Sequence, residues 1–158
     1  MACDKEQIGQ DYIISYYIET GGCGDVLPDP QVVTYTTLGG FTDKSSSSSR
    51  NPIETADDGS IYRRNRGGTI TESFSGTVNT YGSDDGGAIS AAQKAFWEHY
   101  RAGTDGAKLW IQIENEFVTR TMFCLIASVE NSMGTDANAT AAVELPNAGP
   151  LGMTEVFA

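Results

Sequence analysis

His99 is the chain's one histidine, so any acid–base catalyst built on imidazole would have to use it. Its neighbours at helical spacing, Ala92, Ala95 and Phe96, make that stripe a packing surface, and His99 reads as a packing or capping residue. Five consecutive serines, Ser45 to Ser49, offer hydroxyl groups, but no histidine lies near them to activate a nucleophile. They read as flexible loop. No GxSxG elbow, P-loop or HExxH helix occurs. Glu114 and Glu116, with Asp105, could be drawn as a carboxylate pair for glycoside chemistry or as a calcium site. A solvated strand end is the better reading, because neither ETADDGS nor YGSDDGG supplies the alternate oxygen ligands and final Glu of an EF-hand loop.

Cys3, Cys23 and Cys124 are odd in number, far apart and without a CxxC pair, which supports neither a disulfide framework nor a zinc site. Cys124, inside the apolar run MFCLIA, reads as a small core residue, and Cys3 and Cys23 as reduced thiols in loops. Asn138-Ala139-Thr140 matches a glycosylation acceptor, a three-residue pattern that arises by chance. No catalytic, metal-binding or cofactor-binding residue is assigned, and no cofactor is expected. These residues predict a structural or binding protein, not an enzyme.

The 158 residues suffice for one domain with a real core and are too few for two of ordinary size. A net charge of −11, from 21 acidic against 10 basic residues, opposes binding to nucleic acid through phosphates. No apolar run approaches the ~20 residues that span a bilayer, so no membrane partner is expected. The start MACDKEQIGQ lacks the layout of a signal peptide, which predicts a protein made in the cytoplasm.

The elements that must position any functional group are mostly strands. Tyr12 to Ile18 is β-branched and aromatic and ends at Gly21-Gly22, and Val32 to Leu38 returns after the proline-rich turn Gly24 to Pro30. Residues 41–66 carry the serine run, a proline and few apolar anchors, which predicts a long loop. Thr69 to Tyr81 alternates, with Ile70, Glu72, Phe74, Gly76 and Val78 on one face, Gly76 marking a bulge or close backbone approach. Ser90 with Gln93 has the spacing of a capping box, so a helix is predicted over Ser90 to Ala102 with Gly103 as its left-handed stop. Lys108 to Asn115 places Leu109, Ile111 and Ile113 inward and Trp110, Gln112 and Glu114 outward. Thr119 to Val129 is its antiparallel partner through a tight link at residues 116–118, and Ala139 to Leu145 is the last strand. The tail from Met153 is free to pair with a neighbour.

The run Leu38 to Asp43, then Asn51 to Thr55, Gly59 to Arg64 and Gly67 to Ile70, resembles the central block of the phage major tail (tail tube) proteins. Ser73-Phe74-Ser75-Gly76, followed by a helix with a small-residue face and a strand pair, matches the later order, so the resemblance covers roughly residues 32–128. It implies a mostly β chain: an antiparallel β-sandwich or barrel with one flanking α-helix and a long extended loop. Residues 1–158 would form a single tail-tube-like domain, with 1–10 as an N-terminal extension, 41–66 as an assembly loop and 146–158 as a C-terminal arm.

The implied function is that of a structural subunit whose hexameric rings stack into a tail tube, the conduit for DNA during ejection. Its first partner would be itself, through ring and ring-stacking contacts, with tape-measure, tail terminator, baseplate or sheath proteins beyond. DNA would pass transiently without sticking, and the location would be the virion tail, after synthesis in the host bacterial cytoplasm. Phe41, Ile53, Glu54, Ile61, Tyr62, Arg63, Arg64 and Arg66 are expected to make inter-subunit contacts, and Glu72, Glu114 and Glu116 to face the lumen. The inner tube of a related contractile injection or secretion system is the alternative within this class. Outside it stands a β-sandwich module for carbohydrate or a host surface, with Trp97 or Trp110 as stacking platform, though Trp97 lies in the helix.

Overall fold

The computed structural model describes residues 12–56, 63–80, 88–135 and 139–157. In chain order the elements are β1 (Ile13–Tyr17), β2 (Thr36–Thr37), β3 (Phe41–Ala56), β4 (Arg63–Asn79), α1 (Ala88–Ala102), a 3-10 turn (Thr104–Ala107), β5 (Lys108–Glu114), β6 (Val118–Leu125), β7 (Ser128–Ser132), β8 (Thr140–Pro146) and β9 (Thr154–Phe157). A five-stranded sheet runs β2-β1-β5-β6-β9 and a four-stranded sheet runs β3-β4-β8-β7. Every pairing among the described residues is antiparallel.

Period-two alternation turns one face of each sheet inward, which is how short strands bury apolar groups while leaving their backbone paired. Ile14 and Tyr16 of β1, Leu109, Ile111 and Ile113 of β5, and Met122 and Cys124 of β6 meet Phe74 of β4 and Val143 and Leu145 of β8 in one core. Burial pushes the Cys124 thiol well above its ordinary range, in keeping with a small core residue.

Helix α1 begins at Ala88, two residues before Ser90, and Gly103 follows it at φ 64°, the left-handed stop the sequence predicts. Ala92 and Phe96 enter the core, where Phe96 meets the Tyr16 ring edge-on at 5.6 Å. Ala95 does not share that stripe. It stands one step of about 100° from Phe96 and is exposed, while Gln93 turns inward in its place. The Gln93 amide donates to the carbonyls of Gly39 (3.2 Å) and Asn79 (2.8 Å), tying the helix to the root of β3 and the end of β4. His99 Nε2 lies 2.8 Å from the Lys108 carbonyl oxygen, a hydrogen bond to the start of β5.

Three expectations are corrected by the pairing. Within residues 41–66, the predicted loop is strand wherever it is described: β3 and β4 form one long hairpin, because the serine run supplies small side chains opposite Thr71 to Ser75 of β4. The second strand shrinks to Thr36–Thr37, because the turn after Pro28 continues to Val33, whose N–H, like that of Val32, donates to the Asp29 carbonyl. The strand predicted over Thr119 to Val129 is two strands in different sheets. Ile126 N donates to the Ala107 carbonyl (3.1 Å) and Ala127 N to the Glu144 carbonyl (2.9 Å), so the chain crosses between the layers with its backbone satisfied. Trp110, which alternation correctly turns outward and which the alternative reading uses as a stacking platform, is fully buried, because loops cover that part of the outer face.

Candidate assembly surfaces

Sheet edges, a projecting hairpin and an uncovered sheet face are the features with no partner inside one subunit. β4 pairs with β8 only from Ser73 to Asn79, so toward the tip the β3–β4 hairpin is a two-stranded ribbon standing clear of the body. An irregularity between Arg50 and Pro52, opposite Ile70 and Gly67, lets it bend. Gly68 is needed there, since a Cβ on it would strike the Asn51 carbonyl oxygen, whereas one on Gly67 would meet only the movable end of the Arg50 side chain. Past this point Ile53 sits opposite Arg66, as Ile70 does opposite Arg50 before it. Both isoleucines are about half exposed, at 56% and 48%, on a ribbon too thin to bury them.

Of the residues the sequence assigns to inter-subunit contacts, Ile53, Glu54 and Arg66 are exposed on this ribbon. Arg63 and Arg64 lie on its β4 strand, paired with Ala56 and Thr55. Phe41 is at the root instead, half-buried against Phe74 with ring centroids 5.9 Å apart. Ile61 and Tyr62 fall outside the described residues. Lys44, Arg50, Arg63, Arg64 and Arg66, half of the 10 basic residues, belong to the hairpin, so a chain of net charge −11 gathers its cations there.

On the body, most outward side chains of β3 and β4 are small and hydroxylated. Ser45 pairs with Ser75 and Ser47 with Ser73, whose hydroxyl oxygens are 2.8 Å apart. One extra residue in β3, Thr42, brings Asp43 beside Thr77 on the same face. Gly76 is the close approach the sequence predicts, since a Cβ there would lie 2.6 Å from the Phe41 ring and 2.8 Å from the Asp43 carbonyl oxygen. Across the sheet, Ser75 is in register with Glu144 and Thr77 with Ala142, which faces Glu130. A shallow groove of ≈ 380 Å³ runs over these residues. Nothing in the described chain covers this face.

The outer face of the five-stranded sheet is different. Trp110 packs on Phe123 at 5.1 Å and its indole N–H donates to Glu19 Oε2 at 2.8 Å. Two loops lie over the pair, Gly24 (φ 75°) from one side and Gly149 from the other, each so near that a Cβ would meet the Phe123 ring. No stacking platform remains at Trp110. Trp97 is half-buried against Phe96 at 4.9 Å.

The three acidic residues assigned to a lumen are not gathered on one surface. Glu72 lies on the other side of β4 from the serines, in a groove between the sheets, where its carboxylate accepts the Met153 N–H at 2.6 Å. Glu114 ends β5 on the outer face of the five-stranded sheet, and Glu116 sits in the turn to β6. That turn is tight as expected, with Asn115 Oδ1 accepting the N–H groups of Phe117 (2.9 Å) and Val118 (2.8 Å). The tail pairs within its own chain: β9 joins β6, and Arg120 Nε donates to Glu155 Oε1 at 2.9 Å. β9 and β2 are then the edges of one sheet, and β3 and β7 of the other.

Among the described residues no three His, Cys, Asp or Glu side chains cluster as metal ligands, and no helix is long and apolar enough to cross a membrane. No family model and no curated protein sequence matches the chain. Solved structures do. The SPP1 tail tube superposes with a TM-score of 0.67 at 16% identity, over 96% of this chain and 79% of that one. The chain has the tail tube fold.

The tail of an empty gene transfer agent particle, refined with C6 symmetry, superposes on the same fold with a TM-score of 0.64 at 17% identity, over 97% of this chain and 99% of that one. A chain of the anti-feeding prophage baseplate, at 0.63 and 11% identity, covers 98% of this chain and 97% of that one. The tail tube fold thus extends along nearly the whole chain. The mostly antiparallel architecture with a flanking helix is the one the sequence predicts, and the long extension it reads as a loop is the β3–β4 hairpin. Sequence reasoning read Thr71, Ser73, Ser75 and Thr77 as one polar strand face but missed the serines of β3 that extend it. The signal was present in the alternation of Thr71, Ser73, Ser75 and Thr77, which needs a similarly small-sided partner strand.

Proposed function

We propose that the chain is the subunit of a tail tube, a structural protein of the virion tail that assembles with itself into stacked rings. The observation that carries this reading is the four-stranded sheet: it has the tail tube fold, both its edges are open, and its outer face is bare and polar over the body. Open edges invite other chains, and closure into a ring removes them. The C6 symmetry named for the similar gene transfer agent tail supports six subunits per ring. Stacking of like rings is a heterologous contact that grows without limit, so a tube follows from a ring.

The hairpin is the arm that reaches an adjacent subunit. Its exposed Ile53 and Ile70 gain burial only from a neighbour, and its arginines meet a chain otherwise rich in carboxylates. Reversing charge with Arg63→Glu and Arg64→Glu should abolish tubes while circular dichroism of the monomer is unchanged; tubes of normal length in both variants would count against an arm role.

Tape-measure, terminator, baseplate or sheath proteins are the further partners this role requires. The likeness to a chain of an extracellular contractile injection system, in a sheath/tube terminator structure, with a TM-score of 0.61, supports the inner tube of such a machine as a second reading. A glycan-binding module is disfavoured by the burial of Trp110. Sedimentation velocity and negative-stain microscopy across concentration separate these classes: the tube reading requires rings or tubes without added ligand, and a monomer that binds glycans would replace it.

A further inference from the structure

We infer that Trp97 of α1 is the side-chain anchor of the junction between subunits, its indole packing against the β3 strand of a second copy laid along β7. This rests on the tube reading and names the residues that fasten one subunit to the next. The β7 edge offers more than open backbone. β7 pairs with β8 alone, so its other side is free, and one stripe of α1 runs beside it. Ser90, Lys94, Trp97 and Arg101 form that stripe, recurring at spacings of three and four next to the face that Phe96 buries. On one side of the indole a groove of ≈ 370 Å³ reaches Thr80 and Ser90, and on the other a cleft of ≈ 70 Å³ is bounded by Tyr100, Val129 and Asn131. Trp97 is therefore a ridge at the margin of the open edge, held in place by its edge-on contact with Phe96 at 4.9 Å. Trp, Tyr and Arg are the residue types that dominate contact energies, and Trp97, Tyr100 and Arg101 bring all three to this margin.

A second copy supplies what fits there. The other free edge of the four-stranded sheet is β3, and a strand added to β7 lies about 4.8 Å beyond it, with alternate side chains turned to the side where α1 lies. On β3 those core-side residues include Ser46 and Ser48, which stand opposite Phe74 and Glu72 of β4. Between Lys44 and Arg50 nothing on that side of β3 is larger than serine, so the incoming strand has room for an indole. A bulky ridge on one edge and a small-sided strand on the other are complementary within one chain, as a repeated head-to-tail contact requires. The serine run thereby acquires a second role: it lets β3 pass close to a large aromatic of its neighbour, while the backbone of β7 gains a partner.

The test uses the chain's own fluorescence. Of its two tryptophans, Trp110 is fully buried in the free subunit, so quenching by acrylamide reports Trp97. Free subunits should show a quenchable component that Trp97→Phe removes, and tubes of the unaltered chain should lose it. Quenching in tubes equal to that in free subunits overturns the inference and leaves the tube reading standing. Failure of the unaltered chain to form tubes at any concentration overturns both. The identity of the neighbouring strand has its own readout. In a Cys3→Ser, Cys23→Ser, Trp97→Phe background, a nitroxide on Ser48→Cys should quench Trp97 of unlabelled subunits assembled in excess with the labelled ones. A nitroxide on Cys23, exposed on a loop over the five-stranded sheet, should leave Trp97 bright in a Cys3→Ser, Trp97→Phe background. Quenching from Cys23 alone, or from neither position, puts Trp97 in another contact and contradicts the inference. Asn131→Arg, exposed on β7, should raise the concentration needed for assembly about tenfold or more with unchanged unfolding in urea. Assembly of that variant at the normal concentration counts against the junction.

Discussion

On the outer face of the five-stranded sheet, Trp110 and Phe123 lie buried beneath two loops, whereas on the outer face of the four-stranded sheet, Ser45, Ser47 and Ser75 stand exposed. Both faces belong to antiparallel strands of similar pairing, so backbone hydrogen bonding does not distinguish them. What differs is the side-chain chemistry and what the chain does with it. One face is sealed by the subunit itself at the cost of two glycine-dependent loops, and the other is left for a different environment. A sheet finished on one side and bare on the other is suited to joining a shared wall.

The largest expected effect comes from breaking the sealed face. Trp110→Ala should cost about 3–5 kcal/mol, the range for removing a large buried aromatic, and equilibrium unfolding in urea would measure it. The matched change on the bare face, Ser75→Ala, should fall within about 0.5 kcal/mol. Equal losses would erase the distinction between the faces. Next in size is Gly24→Ala, which places a Cβ into the Phe123 ring at a positive φ of 75°. More than about 1 kcal/mol should be lost, read from the same unfolding curves.

A smaller effect lies at the border of the covering loop. Burial, with Tyr17 and Glu19 nearby, raises the Tyr35 phenol from its ordinary 10.0 to about 12. The unfolded chain then ionises first as pH rises, and the folded chain holds its proton longer. Stability present below pH 10.0 should therefore decline through the window up to about pH 12, and Tyr35→Phe should flatten that part of the melting-temperature profile. An identical profile for the two proteins would show that Tyr35 is not shielded by the loop.

The sealed and bare faces also differ in how far the sequence reveals them. β1, β5 and the inward half of β4 are legible because Ile14, Leu109, Ile111, Phe74 and Val78 alternate with residues of another character. Trp110 is turned outward as alternation indicates, but its burial is not legible, because covering of the second face depends on loops that carry no periodicity. β3 is misread as loop because Ser45 to Ser49 are alike on both sides of the strand, and their order comes from pairing with β4 rather than from burial. The division between β6 and β7 is hidden inside one apolar run, since Ile126, in the crossing between them, is as buried as the residues of β6. Glu72, Glu114 and Glu116 were gathered by charge alone, and charge does not report which way a strand turns. The hairpin's basic cluster at Arg63 to Arg66 was visible directly, because in so acidic a chain any local excess of cations stands out.

The most direct measurement is a cryo-electron-microscopy reconstruction of the purified chain at the concentration where it assembles. The account predicts a ring-stacked tube in which the β3–β4 hairpin of each subunit, with Ile53 and Ile70, is covered by a neighbouring subunit. A tube whose hairpins stay uncovered, or a chain that remains a monomer at every concentration, would contradict it.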